Sequence, residues 1–243
     1  MASDPTGSTA LRYLSADDLM ADVQRVVDLG WRRNGSSAAR AAAAMMAAEF
    51  RANGLDTTVD SWPFTMYYPQ SWAVSVLSEH EQAADLHALP IWYSEPGDVT
   101  AEVVYVDARA GTPDVSERDL AGKIVLADVD YLGNFLPTDF SSTADSGLYA
   151  AAAAAGAVAY VRKAGAPGNA VMLMHFAQNF PMHRYDAVLG PIPAFTLGRN
   201  DFARAKDLAT RHTLRLRVRN ELAPVPRGSE TTVFGGALGD GEH

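Results

Sequence analysis

Two stretches near the start of the chain carry apolar residues at helical spacing. Ser15-Ala16-Asp17-Asp18 opens the first. A serine there caps free helix N–H groups, and the two acids suit the positive end of the helix dipole. Leu19, Val23, Val26, Val27 and Leu29 then fall on one stripe, and Gly30 stops it. Asn34-Gly35-Ser36-Ser37 predicts a turn and cap before an alanine-rich helix from about Ala38 to Asn53, with Met45, Met46 and Phe50 as its bulk and Gly54 as its stop. Thr57–Trp62 and Trp72–Leu77 read as strands around an aromatic loop (Phe64, Tyr67, Tyr68, Pro69). Residues 1–12 read as a polar tail.

From about residue 100 strands and helices alternate. Glu102–Asp107 is strand-like, and Asp114–Leu120 is a short polar connection. Gly122–Ala127 is almost wholly apolar, the mark of a strand buried on both faces. A helix is expected from about Ser146 to Ala155, ended by Gly156, with a strand at Ala157–Val161. Arg162–Leu189 is irregular, and Pro191–Leu197 is extended, with prolines that suit a strand start. Asp201–Thr210 is helical, and Thr213–Arg219 alternates strictly, so one face is half-buried. The pattern as a whole predicts a mixed α/β chain.

Composition narrows the partners. The chain has 243 residues and a formal net charge of -9, which repels phosphate backbones and argues against nucleic acid. There is no cysteine, which excludes disulfides and thiolate chemistry. No apolar run approaches the roughly 20 residues of a membrane helix, so no membrane partner is expected. The N-terminus lacks a basic stretch followed by an apolar one. A cytoplasmic location is therefore the default expectation, and a secreted one follows if the N-terminus has been processed.

Candidate chemistry is sparse. The six histidines (His80, His87, His175, His183, His212, His243) form no His-x-Asp, His-x-His or His-Glu-x-x-His. His175 and His183 share an irregular loop with Asp186 nearby, as either a loop metal site or plain loop histidines. Asp128 and Asp130 flank Val129 and point to one side of a strand end, as either a carboxylate dyad or loop anchors. Asp145-Ser146-Gly147 lies at a helix start, where a nucleophile and an ordinary cap look alike. Arg215, Arg217 and Arg219 make a basic row, which is either a solvated face or a surface for an acidic partner.

Asp119-Leu120-Ala121-Gly122-Lys123-Ile124-Val125-Leu126, the alanine-rich stretch Tyr149–Ala157, and Ile192-Pro193-Ala194-Phe195-Thr196-Leu197-Gly198-Arg199 occur in an order that resembles protease-associated domains over about residues 98–221. Arg33–Arg40, the helix after it and Gly54-Leu55-Asp56 resemble the start of the zinc aminopeptidase and glutamate-carboxypeptidase superfamily, the clan of the transferrin receptors. Thr231–Gly241 resembles the re-entry strand and hairpin of that superfamily, without its usual Asn.

The resemblance implies a peptidase-like α/β segment at 13–97. It implies an inserted protease-associated domain, a β-sandwich or open barrel with flanking helices, at 98–221, and a re-entry segment at 222–243. It also implies that the zinc ligands, beginning with a His-x-Asp on a later strand, belong to a catalytic half absent here. No cofactor is then expected in this chain, and no activity from it alone. An inserted domain of this kind lies over the catalytic cleft, which makes two aromatic loops candidates for covering substrate or a partner: Tyr131, Asn134 and Phe135 in one, His175, Phe180 and His183 in the other.

Three functions follow from this reading. The chain gates or docks substrate for a complementary catalytic chain. Alternatively it is a free-standing peptide- or protein-binding module, acting as a homo-oligomer as the catalytically silent transferrin receptors bind proteins. A third reading is a hydrolase with an unrecognised site, such as Asp128/Asp130 with His175 or His183.

Overall fold

The computed structural model describes residues 15–33, 35–64, 67–77, 84–109, 113–129, 142–171, 189–223 and 228–236. The chain divides into two compact units, Met1–Pro63 with Gly228–His243, and Phe64–Arg227.

In the first unit, α1 (Ala16–Asp28) begins as its sequence dictates. The Asp18 N–H donates to Ser15 Oγ at 3.1 Å, and the Ser15 N–H donates back to Asp18 Oδ2 at 3.1 Å. This reciprocal capping box satisfies two orphan donors. Gly30 ends the helix at a φ of 77° that favours glycine. α2 (Ser37–Ala52) starts where the Ala39 N–H donates to Ser36 Oγ. It buries only its small residues, Ala43 and Ala47. Arg25 of α1 pairs with Glu49 of α2 at 2.8 Å. β1 (Asp56–Phe64) pairs with β10 (Gly228–Gly236), joining the two ends of the chain in one two-stranded sheet. α1 buries no residue at all. Leu19, Met20, Val23 and Val27 are each more than half exposed, so the stripe that makes the helix amphipathic faces outward.

The second unit is an α/β body built on one mixed sheet. Its strands are β2 (Pro69–Val76), β3 (Ala84–Asp85), β4 (Ala88–Pro90), β5 (Gly97–Ala108), β6 (Ile124–Val129), β7 (Ala159–Lys163), β8 (Ala194–Leu197) and β9 (Arg215–Leu222). They lie in the order β3-β2-β9-β5-β6-β7-β8-β4. β5 joins two regimes: its first half pairs antiparallel with β9, and its second half pairs parallel with β6. β6, β7 and β8 continue in parallel.

Alternation along β6 sends Ile124 and Leu126 to one core and Val125, Ala127 and Val129 to the other. α4 (Arg199–Arg211) covers the first with Phe202, Ala205 and Leu208, and α3 (Ser142–Ala154) covers the second with Leu148, Tyr149 and Ala152. The apolar run Ile124–Ala127 is therefore buried on both faces, as its composition predicts.

The strand expected at Trp72–Leu77 is β2, and it belongs to this unit rather than to the N-terminal helices. Trp72, Val74 and Val76 pack into the core beside α4, and the β2–β9 ladder pairs residues about 150 positions apart. Gly156 turns the chain from α3 into β7 at a φ of 86°. A Cβ there would stand 3.2 Å from Ala121 Cα, so only glycine fits both the backbone and the space.

Candidate functional site

Parallel strands in register deliver their carboxyl ends to one edge of the sheet, where open α/β sheets place their sites. Asp107 on β5 stands level with Asp128 on β6, and Ala127 stands level with Arg162 on β7, which brings Lys163 beside Asp128. Asp128 is buried, and it is the hub of a charge cluster. Lys163 Nζ donates to its Oδ1. Lys206 Nζ, reaching in from α4, donates to Oδ2 at 2.8 Å, and Tyr105 Oη donates to the same oxygen at 3.0 Å. Arg109 Nε stands 3.9 Å away and is held by Asp107. Lys206 also lies over the Tyr105 ring, 4.8 Å from its centre.

Burial is the largest single influence on the Asp128 carboxyl and pushes its pKa up. The hydrogen bonds from Lys163, Lys206 and Tyr105 together outweigh it, so the group is held below the usual carboxylate range. The Lys206 ammonium is pushed up, first by its bond to Asp128 and then by Tyr105. The Tyr105 phenol is pushed up by burial. A carboxylate held in its ionised form by two ammonium groups ties α4 and β7 to the end of β6. Asp130, the other member of the carboxylate pair, lies outside the described residues.

The other sequence candidates fall as follows. Tyr131, Asn134, Phe135, His175, Phe180 and His183, together with Asp130 and Asp186, lie outside the described residues. Asp145 belongs to a buried network: Tyr160 Oη donates to it at 2.6 Å, Arg162 Nη1 donates to it, and Arg162 Nε donates to Thr196 Oγ1 at 3.0 Å. The Asp-Ser-Gly sequence thus ties α3 to β7 and β8. The basic row of Arg215, Arg217 and Arg219 is interleaved with acids. Arg217 binds both oxygens of Asp98 across the β5–β9 face, and Glu102, level with Arg215, is bound by Lys123 at the start of β6. Among the described residues, no three His, Asp or Glu side chains converge to hold a metal ion, so these residues do not fit a zinc site. No described helix is long and apolar enough to cross a membrane.

Sequence reasoning missed Lys163, Lys206, Tyr105 and Arg109. Tyr105, Arg109 and Lys163 lie in or just after neighbouring strands and Lys206 lies on α4, so their convergence is readable only once the strand order and the place of α4 are known.

No family model matches the chain, and no curated protein matches it. Solved structures do. An aminopeptidase from Aneurinibacillus sp. strain AM-1 is 20% identical with a TM-score of 0.58, covering 91% of this chain and 46% of that one. A zinc aminopeptidase from Bacillus subtilis is 16% identical with a TM-score of 0.61, covering 90% and 46%. A peptidase M28 precursor from Shewanella amazonensis SB2B is 18% identical with a TM-score of 0.59, covering 87% and 48%. The chain therefore has a fold found within zinc aminopeptidases. It spans a little under half the length of each of these enzymes.

Proposed function

We propose that this chain is the non-catalytic, substrate-gating or docking portion of a metallopeptidase-like protein of the aminopeptidase kind. One observation carries the reading: about nine-tenths of the chain superposes on less than half of each aminopeptidase. The sheet of the second unit is then the protease-associated body. α1, α2, β1 and β10 form a peptidase-like segment that works with a zinc-bearing portion supplied by the same polypeptide or by a complementary chain. The outward apolar stripe of α1 supports this, because an amphipathic helix with no buried residue presents a face for another body to cover. Peptide or protein substrates are the partners this reading supplies.

Turnover of aminoacyl-anilide substrates by the purified chain, with and without added zinc, tests it. The expected result is no turnover above buffer and no stoichiometric zinc by elemental analysis. Hydrolysis by the chain alone would sink the proposal and favour the hydrolase reading. A His-x-Asp strand encoded in frame or in an adjacent reading frame supplies the catalytic portion directly.

The same stripe favours a second reading, a free-standing binding module that self-associates through α1. Light scattering behind size exclusion separates the two: a concentration-dependent dimer supports self-association, and a monomer supports a separate catalytic partner.

A further inference from the structure

The outer face of β2, β9 and β5 carries a cavity of about 200 Å³ lined by Ala73, Ser75, Arg217 and Arg219. Its charges are unevenly matched. Arg217 is neutralised by Asp98, with Nε at 2.8 Å from Oδ1 and Nη2 at 2.6 Å from Oδ2. That contact, above all, holds the Asp98 carboxyl below its usual range. Asp98 is the register partner of Arg219 across the β5–β9 ladder, yet both its oxygens are spent on Arg217. The two neighbouring polar side chains of β2 are also engaged elsewhere, Ser75 with Asp85 and Ser71 with Glu221. Arg219 is half-buried, and its Nε is shut off from water with no acceptor. A guanidinium never loses its charge, and a buried donor without an acceptor destabilises the fold. Arg219 thus lacks an acceptor within the fold for one of its donors, while the residue itself lines the cavity. Arg215, on the same row, is exposed, and the buried orphan donor is on Arg219.

From this we infer that Arg219 forms a binding site for one carboxylate group. The guanidinium fork matches a carboxylate bidentately. Ala73, directly opposite Arg219 on β2, leaves the space above the ladder open. Asp98 already attracts both Arg217 and Arg219, so the positive charge left over suits a monoanion. A phosphate dianion would add surplus negative charge beside Asp98 and Glu221. The carboxylate can come from a free small acid or from an acidic side chain of a peptide. The inference does not depend on the gating role proposed above.

Thermal unfolding of the purified chain tests it, with sodium acetate, sodium chloride and sodium phosphate compared at equal ionic strength and pH. In a second arm, blocked peptides differing only by Glu or Gln are compared. Anything that binds the folded state alone raises its melting temperature. Acetate and the Glu peptide are expected to raise it above chloride and the Gln peptide. Acetate acting without the Glu peptide assigns the site to free acids, and both acting assigns it to peptides.

Arg219→Met should abolish the gain, and Arg219→Lys should retain only part of it. Arg215→Met should leave it intact. In chloride, Arg219→Met should melt at or above the wild-type temperature, because the orphan donor is gone. An equal gain in Arg219→Met, no gain in the wild type, or a larger Arg219-dependent gain from phosphate would each overturn the assignment. So would a clear loss of stability for Arg219→Met in chloride, which would mean that the protein itself satisfies Arg219.

Discussion

Arg162 of β7 and Asp145 of α3 form an ion pair whose side chains are only 2% and 3% exposed. Removing one member leaves the other's charge buried without its ionic counterpart. Asp145→Ala is expected to destabilise the fold by about 3–5 kcal/mol. The double replacement Asp145→Leu with Arg162→Met should recover much of that loss, because no charge is then left buried. Urea denaturation of the three variants measures both effects, and a double variant no better than Asp145→Ala would contradict the argument.

The Asp128 hub sets an acid limit on stability. Its carboxyl binds a proton less tightly folded than unfolded. The stability this contributes is fully present above the unfolded value of about 3.9 and drains away as pH falls through the lower folded value. Lys206 behaves oppositely: its contribution is complete below the unfolded lysine value and is lost as pH rises through the raised folded one. Asp128→Asn should cost about 2–3 kcal/mol at neutral pH, less than a fully buried pair because both lysines are partly exposed. It should also flatten the acid limb of a stability-versus-pH curve measured by denaturant melts.

Helix α4 is capped from outside its own sequence. Its N-cap is Gly198, which has no side chain to offer. Asn169 supplies the cap instead: its Oδ1 accepts the Asp201 N–H at 3.2 Å, and its Nδ2 donates to Asp201 Oδ2 at 3.0 Å. A Cβ on residue 198 would collide with Asn169. Gly198→Ser, an improvement by helix-capping preference alone, is therefore expected to destabilise by about 1–3 kcal/mol. A melting temperature at or above wild type would refute this.

Charging the α1 stripe separates folding from association. Val23→Lys and Val27→Glu replace exposed side chains, so the chain should unfold within about 0.5 kcal/mol of wild type. Any self-association through α1 should weaken by about tenfold or more, since a buried charge without a partner is costly. Sedimentation equilibrium reads the second effect and denaturant melts read the first.

Much of the local structure was legible. Ser15 with Asp18, Gly30, Gly54 and Gly156 mark helix ends through capping and positive φ, which depend on a few adjacent residues. The doubly buried β6 was legible from its unbroken apolar run. Long-range relations were not. Nothing local says that β2 ladders with β9, that Asn169 caps α4, or that Lys163 and Lys206 converge on Asp128. β3 and β4, of two and three residues, are too short to carry a period. The α1 stripe was legible as amphipathic, but the direction it faces depends on what surrounds it.

The β2–β9 ladder has a consequence for the order of assembly. Pro69 pairs with Leu222, and the Ala223 N–H donates to the Tyr68 carbonyl at 2.8 Å. The larger unit thus clasps its own entry and exit. Once it has formed, the loop that separates β1 from β10 is already closed, and their pairing no longer bears the entropy of that long closure. The sheet body is therefore expected to form first, and the β1–β10 pairing to be the first to come apart under heat or protease.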